Sequence, residues 1–295
     1  MPPAPTIHVV GELMIDVIAR VHTAPAPGSD APATITESDG GSAANVAAWL
    51  AHLDASVRFV ARVGADASGD AALRRLSAAG VDVKAARDRL HPTGRCVVVV
   101  TLDGERTMFP DPGANAHLSA TDIDPTDWQA GEHLHMSGYS LIREGSRAAA
   151  LQAMERARLV GLTVSIDASS EAPLLAVGPE TFLGWLAPTD VLFANAAEAR
   201  ALTGTADAAR AVDALVMRGL TAVVKVGGDG ALAGSREGRW RAPASPAIAQ
   251  DSTGAGDAFA AGFLACWTRN GDMEAALDSA TRTAARAVSR PGGRP

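Results

Sequence analysis

Apolar runs with the lengths of strands alternate with helix-like segments through the second half of the chain, and this alternation constrains the fold more than any other feature. From residue 133 onward the runs are HLHMSGYS, LTVSIDAS, DVLFANAAE and TAVVKVGGDG, and helical segments are predicted near 146–160, 179–186 and 207–218. Strands joined through helices pair in parallel and are covered on both faces. The sequence therefore predicts an α/β fold with a central, mostly parallel sheet.

Two patterns in the first half of the chain extend this architecture. Residues 7–21 predict a buried strand that breaks at Gly11 and Glu12 and then continues. Residues 95–109 predict a hairpin, because a β-branched run leads into an Asp-Gly pair that suits a tight turn. Residues 22–39, rich in Pro, Ala, Ser and Thr, suit a surface excursion or short edge strands. No repeat or linker divides the chain, so we expect one domain over 1–295.

Polar side chains stand at the ends of the predicted strands. In parallel sheets ligands bind beyond the carboxyl ends of the strands. The polar positions there are Asp16, Asp167, Asn195, Lys225 and the 251–257 turn, and they are compatible with one cleft. Asp16 is a carboxylate inside an apolar run, where burial without a partner is costly. It faces either a polar ligand or, on an edge strand, water.

The stretch 251–263, DSTGAGDAFAAGF, combines a small-residue turn with the start of a helix. Gly254, Ala255 and Gly256 let the backbone approach a ligand and present its N–H groups outward. The helix is predicted from an aromatic face that recurs every four residues, at Phe259, Phe263 and Trp267. First-turn N–H groups lack internal partners and the helix dipole favours negative charge, so this turn is a candidate anion site.

Asp257 lies at the opening of that helix, where a carboxylate can accept a proton from a hydroxyl that attacks a phosphate. The competing interpretation is an ordinary turn with a helix-capping Asp. The short string GAGD alone favours the ordinary turn. Asp251, Thr253, both glycines, Asp257 and the aromatic face occur together at fixed spacing, and this combination favours a phosphate site.

Three other segments offer ligand groups, and each has a structural alternative. Asn45, after a glycine pair, suits sugar hydroxyls but also suits an ordinary turn and helix start. Asn195 and Glu198 are three residues apart and suit Mg²⁺, although Asn195 could equally cap a helix. No Walker A string occurs, so phosphates need the 253–256 turn, helped by Lys225 and the 227–230 loop; that loop could also be a plain surface turn.

Composition narrows the classes of partner and the compartment. The net charge is −7 without a basic run, which argues against nucleic acid or an anionic membrane surface as a partner. Two cysteines suggest neither a disulfide framework nor a zinc site, so a reducing cytoplasm fits. No apolar run reaches membrane-spanning length and the start has no export signal, and we therefore expect a soluble cytoplasmic protein.

Segments spread over nearly the whole chain resemble the ribokinase-like (PfkB) family of carbohydrate kinases. They occur in family order and are GELMID, GGSAAN, RVGADASGD, PTG with DGERT and PGAN, NAAE and DSTGAGD. The resemblance implies a single kinase domain with a central α/β sheet and a small β lid, formed by about 17–39 and 93–115. It also implies ATP-dependent phosphorylation of a sugar or a related alcohol, and it permits a homodimer that pairs through the lid.

The resemblance further implies roles for single residues. Asp257 would be the catalytic base, and the hole for the transferred phosphoryl group would be formed by Gly254, Ala255 and Gly256. The residues that would contact ATP are Lys225, Gly227, Gly230, Thr253 and Asn195. Substrate contacts would come from Asp16, Gly41, Asn45 and Asn115. Asn195 and Glu198 would belong to the Mg²⁺ and phosphate network, and Asp251 matches a position where the family often binds a monovalent cation such as K⁺.

The sequence leaves the acceptor open. Met14 and Ser42 differ from ribokinases proper, and GE with GGSAAN is more similar to fructokinases and ketodeoxygluconate kinases. A strongly acidic sugar would need a basic partner, for which Arg95 and Arg106 on the hairpin are candidates. A nucleoside kinase would need a base-stacking aromatic near the lid, with Phe109, Tyr139 and Trp49 as candidates. A noncatalytic sugar-binding protein is the third class, although it would more naturally have lost Asp257 or a glycine of the turn.

Overall fold

The computed structural model describes residues 4–24, 26–187 and 189–295. The strands are β1 (Ile7–Val10), β2 (Met14–Val21), β3 (Ala33–Gly40), β4 (Val57–Gly64), β5 (Asp82–Asp88), β6 (Gly94–Val100), β7 (Arg106–Asp111), β8 (His133–Ser137), β9 (Thr163–Asp167), β10 (Val191–Asn195), β11 (Thr221–Lys225), β12 (Ala231–Gly234) and β13 (Arg239–Ala242). The helices are α1 (Ser42–His52), α2 (Ala67–Ala78), α3 (Tyr139–Ile142), α4 (Glu144–Val160), α5 (Glu171–Val177), α6 (Pro179–Trp185), α7 (Ala196–Thr203), α8 (Ala208–Met217), α9 (Ala255–Asn270) and α10 (Met273–Val288). Short 3₁₀ turns lie at Gly113–His117, Ala120–Asp122 and Gly227–Asp229.

The main sheet has nine strands in the order β13-β12-β11-β10-β9-β8-β1-β4-β5. The pairs from β11 across to β5 are all parallel, and β12 and β13 add an antiparallel edge. Successive side chains of a strand point to opposite faces. Val9 accordingly belongs to one apolar core and Val10 to the core on the other face. The predicted parallel sheet covered on both faces is confirmed.

A second, four-stranded sheet has the order β3-β2-β6-β7 and is called the small sheet below. The hairpin predicted over 95–109 is confirmed as β6 and β7. Gly104 adopts a φ of +85° in its turn, which explains the glycine there. The segment 22–39 contains one edge strand, β3. The small sheet has its own apolar cluster of Met14, Cys96, Val98 and Val100.

The break predicted inside residues 7–21 is the point where the chain changes sheets. β1 lies in the main sheet, and β2, which begins four residues after β1 ends, lies in the small sheet. A Cβ added at Gly11 would lie 2.6 Å from the Cβ of Ala43, so the first residue of the break must be small. The break therefore places the end of β1 in the main sheet next to the start of β2 in the small sheet.

None of the helices in the described part of the chain combines the length and the apolar character that a membrane span requires.

Candidate active site

A cavity of about 880 Å³ lies between the carboxyl ends of the central strands and the small sheet. This size suits a small-molecule ligand. The predicted site residues that line it are Asp16, Gly41, Asn45, Asn195, Glu198, Lys225, Gly227, Gly230, Thr253, Gly254, Ala255, Gly256 and Asp257. Two predicted site residues, Asn115 and Asp251, are not among its lining residues. The structure thus brings most of the predicted residues together in one cleft.

Asp257 is held by two side chains of α1. The hydroxyl of Ser42 donates to Oδ1 at 2.7 Å, and Nδ2 of Asn45 donates to Oδ2 at 2.8 Å. Asp257 is the third residue of α9, and α1 packs against α9, so this geometry follows from helix packing. Burial raises the pKa of Asp257 to about 7, against the opposing effect of the two hydrogen bonds. The carboxyl group is therefore poised between its protonated and ionised forms near neutral pH.

The turn before α9 presents backbone N–H groups to the cavity. Thr253 N–H donates to Oδ1 of Asp251 at 2.8 Å, and Ala255 N–H donates to the carbonyl of Ser252 at 3.3 Å. Within the described residues, the N–H groups of Gly254, Gly256 and Asp257 have no hydrogen-bond partner. Of the three predicted phosphoryl-hole residues, the amide of Ala255 is thus occupied and those of the two glycines are open. Open first-turn donors are what an anion requires.

Both glycines of this turn lie where a side chain would not fit easily. Gly254 adopts a φ of +69°, and an added Cβ would lie 2.5 Å from the Cα of Gly293. A Cβ on Gly256 would lie 3.3 Å from Nζ of Lys225. The turn is therefore enclosed by the segment after α10 on one side and by a lysine on the other.

Lys225 and Asp167 form an ion pair beneath the turn, with 2.7 Å between Nζ and Oδ2. Burial disfavours the charged ammonium, but the carboxylates of Asp167 and Glu198 outweigh it and the pKa of Lys225 is raised. Lys225 therefore keeps its positive charge at the predicted phosphate position. Gly227 and Gly230 line the same side of the cavity.

Asn195 and Glu198 form a reciprocal cap at the start of α7. Oδ1 of Asn195 accepts from Glu198 N–H at 2.9 Å, and the Glu198 carboxylate accepts from Asn195 N–H and Nδ2 at 2.8 and 2.7 Å. The capping alternative considered for this pair is therefore what the hydrogen bonds show. Burial, followed by the charge of Asp167, raises the pKa of Glu198 to about 7. The Mg²⁺ role stays a prediction, and the described residues contain no cluster of three acidic, His or Cys side chains that could hold a metal alone.

Asp251 is occupied by protein donors. Its Oδ1 accepts from Arg106 at 2.5 Å, and its Oδ2 accepts from Gly292 N–H at 3.1 Å. Arg106 also donates to Oγ1 of Thr253. Burial alone would raise the pKa of Asp251, but the hydrogen bonds from Thr253, Arg106 and Gly292 hold it well below its usual range. A guanidinium thus supplies the positive charge at this carboxylate, and the monovalent cation assigned to it stays a prediction.

Asn115 has a structural task that the sequence did not indicate. Its Oδ1 accepts from Leu13 N–H at 3.0 Å, and its Nδ2 donates to the carbonyls of Leu13 and Pro112 at 2.9 Å. The amide therefore fixes the break between β1 and β2. Its predicted contact with substrate stays a prediction without support from these contacts.

Asp16 and Gly41 line the same cavity as Asp257. Asp16 lines the cavity from the small sheet, which favours the ligand-facing alternative over the solvent-facing one. Burial raises its pKa to about 6, and the charge of Arg294 opposes the rise. Gly41 has a φ of +91°, and a Cβ there would lie 2.5 Å from the carbonyl oxygen of Glu12. The sheet change at Glu12 and the start of α1 therefore pack directly against each other.

Sequence analysis missed two residues that support this arrangement. Glu12 is 2% exposed, and its Oε1 accepts from Ser42 N–H and the Ser137 hydroxyl, both at 3.1 Å. Arg294 donates to Oδ1 of Asn45 at 3.2 Å and to the Gly40 carbonyl at 3.0 Å. The argument used for Asp16, a carboxylate next to a buried strand, would have found Glu12. Nothing local in the sequence indicates that Arg294 reaches α1.

A family profile described as pfkB family carbohydrate kinase matches residues 4–295. The chain belongs to this family. It is 35% identical to an ATP-dependent ribose-1-phosphate kinase from Halopiger xanaduensis, over 96% of this chain and 92% of that protein. Its structure superposes on adenosine kinase from Sinorhizobium meliloti with a TM-score of 0.87 at 26% identity, covering 99% and 96% of the two chains.

A third comparison links the fold to bound ligands. Fructokinase from Vibrio cholerae O395, solved with fructose, ADP and calcium ion, matches with a TM-score of 0.83 at 27% identity, covering 98% of this chain and 94% of that one. The expected ribokinase-like fold is confirmed. The protein is an ATP-dependent carbohydrate kinase of the pfkB family.

Proposed function

We propose that this pfkB-family kinase transfers the γ-phosphate of ATP to a hydroxyl of a sugar or sugar-like small molecule, with Asp257 as general base. The observation that carries the proposal is the juxtaposition of the Asp257 carboxylate with open backbone N–H groups at Gly254 and Gly256, inside a cavity of ligand size. Phosphoryl transfer depends mainly on positioning and charge stabilisation. A turn that binds the phosphoryl group beside a carboxylate that accepts the proton meets both needs.

The phosphate side of the cavity combines three sources of positive potential. The N–H groups of Gly254 and Gly256 point from the start of α9, whose dipole adds to their effect. Lys225 carries its charge below the turn, 3.3 Å from where a Cβ on Gly256 would lie. Gly227 and Gly230 line the wall where the rest of the nucleotide would lie. These residues would stabilise negative charge as the phosphoryl group moves.

Mg²⁺ would fit beside the carboxylates of Asp167 and Glu198. Both line the cavity, and the charge of Asp167 contributes to the raised pKa of Glu198, a repulsion that a nearby cation would relieve. Oxygen ligands and retained water are what Mg²⁺ prefers. When bound, it would neutralise charge on the ATP phosphates. Asn195 would orient Glu198 through the cap described above.

The acceptor side is formed by Asp16, Gly41 and Asn45, with the small sheet above it. Met14, Met108 and Pro110 of that sheet line the cavity together with Asp16. The sheet can thus serve as the lid predicted from about 17–39 and 93–115, which would keep water away from ATP. Asn45 contacts Asp257 and can also reach a hydroxyl of the acceptor, placing it next to the base.

Asp257→Asn tests the proposed base. The variant keeps the shape of the side chain but cannot accept a proton, so turnover should fall by roughly 10²- to 10⁴-fold while ATP still binds. ADP release is measured with ATP and Mg²⁺ against sugars, sugar phosphates, sugar acids and nucleosides, and ATP binding by calorimetry. Asp213→Asn, on the exposed side of α8, is the matched control. Near-normal turnover in Asp257→Asn would remove this residue from the base role.

The candidate aromatics favour a sugar over a nucleoside as the acceptor. Trp49 is fully buried in the core, and Phe109 points outward with 58% exposure. Of the three candidates only Tyr139 lines the cavity, and its ring lies under the guanidinium of Arg143, 5.0 Å from the centroid. The same screen separates the classes. Turnover with nucleosides alone would support the nucleoside alternative, and no ADP release with any acceptor would support a noncatalytic sugar-binding protein.

A further inference from the structure

Arg143 is a largely buried guanidinium that faces the cavity without a hydrogen-bond partner. Its side chain is 17% exposed, it lines the cavity, and no group in the described part of the chain accepts a hydrogen bond from it. The neighbouring Arg147 shows the contrast, because it donates to the carbonyls of Leu141 and Ile142 at 2.7 and 2.8 Å. Within the described residues, the side-chain N–H groups of Arg143 thus remain available to a ligand in the cavity.

Glu12 keeps this guanidinium in place without occupying its donors. Oε2 of Glu12 lies 4.0 Å from the nearest terminal nitrogen of Arg143, which is beyond hydrogen-bond distance, and Oε2 has no hydrogen-bond partner among the described residues. On its other side the guanidinium packs over the ring of Tyr139. A carboxylate on one side and an aromatic ring on the other restrict the orientation of Arg143, and they leave its remaining N–H groups directed at the cavity.

Arg143 is connected to the acceptor side of Asp257. Oε1 of Glu12 accepts from Ser42 N–H, and the Ser42 hydroxyl donates to Asp257, so one residue links the two carboxylates. At the predicted phosphate position the positive charge comes from a different residue, Lys225, which lies next to Gly256 and pairs with Asp167. The positively charged side chains of Lys225 and Arg143 thus line the cavity in different surroundings. Lys225 is hydrogen-bonded to a carboxylate, whereas among the described residues Arg143 is not.

We propose that Arg143 binds an anionic group of the acceptor, so that the substrate of this kinase is a sugar carrying a phosphate or a carboxylate. The proposal rests on the proposed kinase function. The planar guanidinium can hold either group through two parallel hydrogen bonds, which an ammonium cannot do. In a cavity that also contains Glu12, Asp16 and Asp257, an anionic acceptor needs such a partner. Glu12 acts as a positioning residue for Arg143.

The test compares matched probes on three variants. Arg143→Met removes the charge at similar length, and Arg143→Lys keeps the charge but cannot form two parallel hydrogen bonds. Arg158→Met removes an exposed arginine from α4, the helix that begins directly after Arg143, as a control. The probes are ribose 1-phosphate, gluconate and the neutral sugar ribose. Binding is measured by calorimetry, ADP release by steady-state kinetics for acceptor and ATP separately, and folding by thermal denaturation.

We expect the wild-type protein to bind an anionic probe at least tenfold more tightly than ribose. Arg143→Met should raise Kd and KM for that probe by roughly 10- to 100-fold, because a charge-assisted bidentate contact is lost. KM for ATP should change less than threefold, Arg143→Lys should recover part of the loss, and Arg158→Met should match wild type. The probe that loses affinity, phosphate or carboxylate, identifies the anion.

Three results would overturn the assignment: no preference of the wild-type protein for either anionic probe over ribose, an Arg143→Met variant that keeps the preference, or an equal rise in KM for ATP. These results are separable from failure of the kinase function. If Arg143-dependent binding of an anionic probe occurs without ADP release, the binding role stands and the kinase function fails. If ribose is phosphorylated equally by wild type and Arg143→Met, the kinase function stands and the binding role fails.

Discussion

As the proposed general base, the buried carboxyl group of Asp257 should make the activity of this kinase sensitive to pH near neutrality. Burial raises its pKa to about 7. A base must be ionised to accept a proton, and below pH 7 the ionised fraction falls about tenfold per pH unit. We therefore expect kcat/KM for the acceptor to rise between pH 5.5 and 7 and to level off by pH 8. A pH–rate profile with a stable acceptor checks this, and a flat profile over that interval would contradict it.

In this experiment the ionisation of two other carboxyl groups of the cavity must be distinguished from that of Asp257. The pKa values of Glu198 and Asp16 are raised by burial to about 7 and about 6. Profiles of Glu198→Gln and Asp16→Asn provide the separation. If ionisation of Asp257 causes the rise in kcat/KM, the rise persists in both variants at a reduced overall rate. If the rise disappears in one variant, the residue replaced in that variant causes it.

At the scale of single residues, the sequence predicted chemistry better than contacts. Asp257, Gly254 and Gly256 could be recognised because their roles depend on neighbours within one turn. Glu12 could have been found by the argument used for Asp16, but nothing local in the sequence indicates that Arg143 lies beside it, because only the fold brings these two distant segments together. The amide of Asn115 is bonded to backbone groups of Leu13 and Pro112, contacts that the sequence did not indicate, and its predicted contact with substrate stays a prediction.

At the scale of elements, one strand of the small sheet is bonded to the turn before α9. Arg106 of β7 donates to Asp251 and to Thr253, and these contacts join the small sheet to the turn that is proposed to bind phosphate. Arg106→Met should destabilise the protein by about 1–3 kcal/mol because Asp251 is left buried without its partner. It should also raise KM for ATP, since the turn loses a restraint. Urea unfolding and steady-state kinetics measure the two effects.

A double-mutant cycle attributes the effect to this pair. Arg106→Met combined with Asp251→Asn should destabilise by less than the sum of the single variants, with a coupling of roughly 1 kcal/mol or more. Arg95→Met on the adjacent strand β6 is the control, since in the described part of the chain the Arg95 side chain donates one hydrogen bond, to Ser68 at 3.3 Å. Additive effects would contradict the restraint.

Repeating the kinetics with K⁺ replaced by a large organic cation tests the monovalent cation predicted at Asp251.

The elements themselves were largely predictable, whereas their assignment to sheets was not. Alternating strands and helices from residue 133 onward predicted the parallel sheet, because each strand requires a crossover helix of recognisable length. Within residues 7–21, one glycine is the strongest local indication that the segment divides between two sheets. The division depends on the pairing of Met14 with Gly94 in β6 and of Ile7 with His133 in β8, which are 80 and 126 residues away. Such pairing is decided by the whole fold.

At the scale of the whole molecule, the outer face of the small sheet offers a surface for a second copy of the chain. Ile35, Val97 and Phe109 are exposed by 67%, 43% and 58% on three of its strands. An exposed apolar face next to open strand edges favours association. We expect a homodimer at about 10 μM by sedimentation velocity. Phe109→Asp should yield monomer, whereas Leu159→Asp on α4, also exposed, should not, and a monomeric wild-type protein would contradict the prediction.

The segment after α10 contacts α1, which is formed early in the chain, and the turn before α9. The Gly293 carbonyl accepts from the indole of Trp49, Gly292 N–H donates to Asp251, and Arg294 holds Asn45, the partner of Asp257. During translation these contacts form only after residue 294 has left the ribosome. The contacts that hold Asn45 beside Asp257 are therefore completed only after translation has passed residue 294.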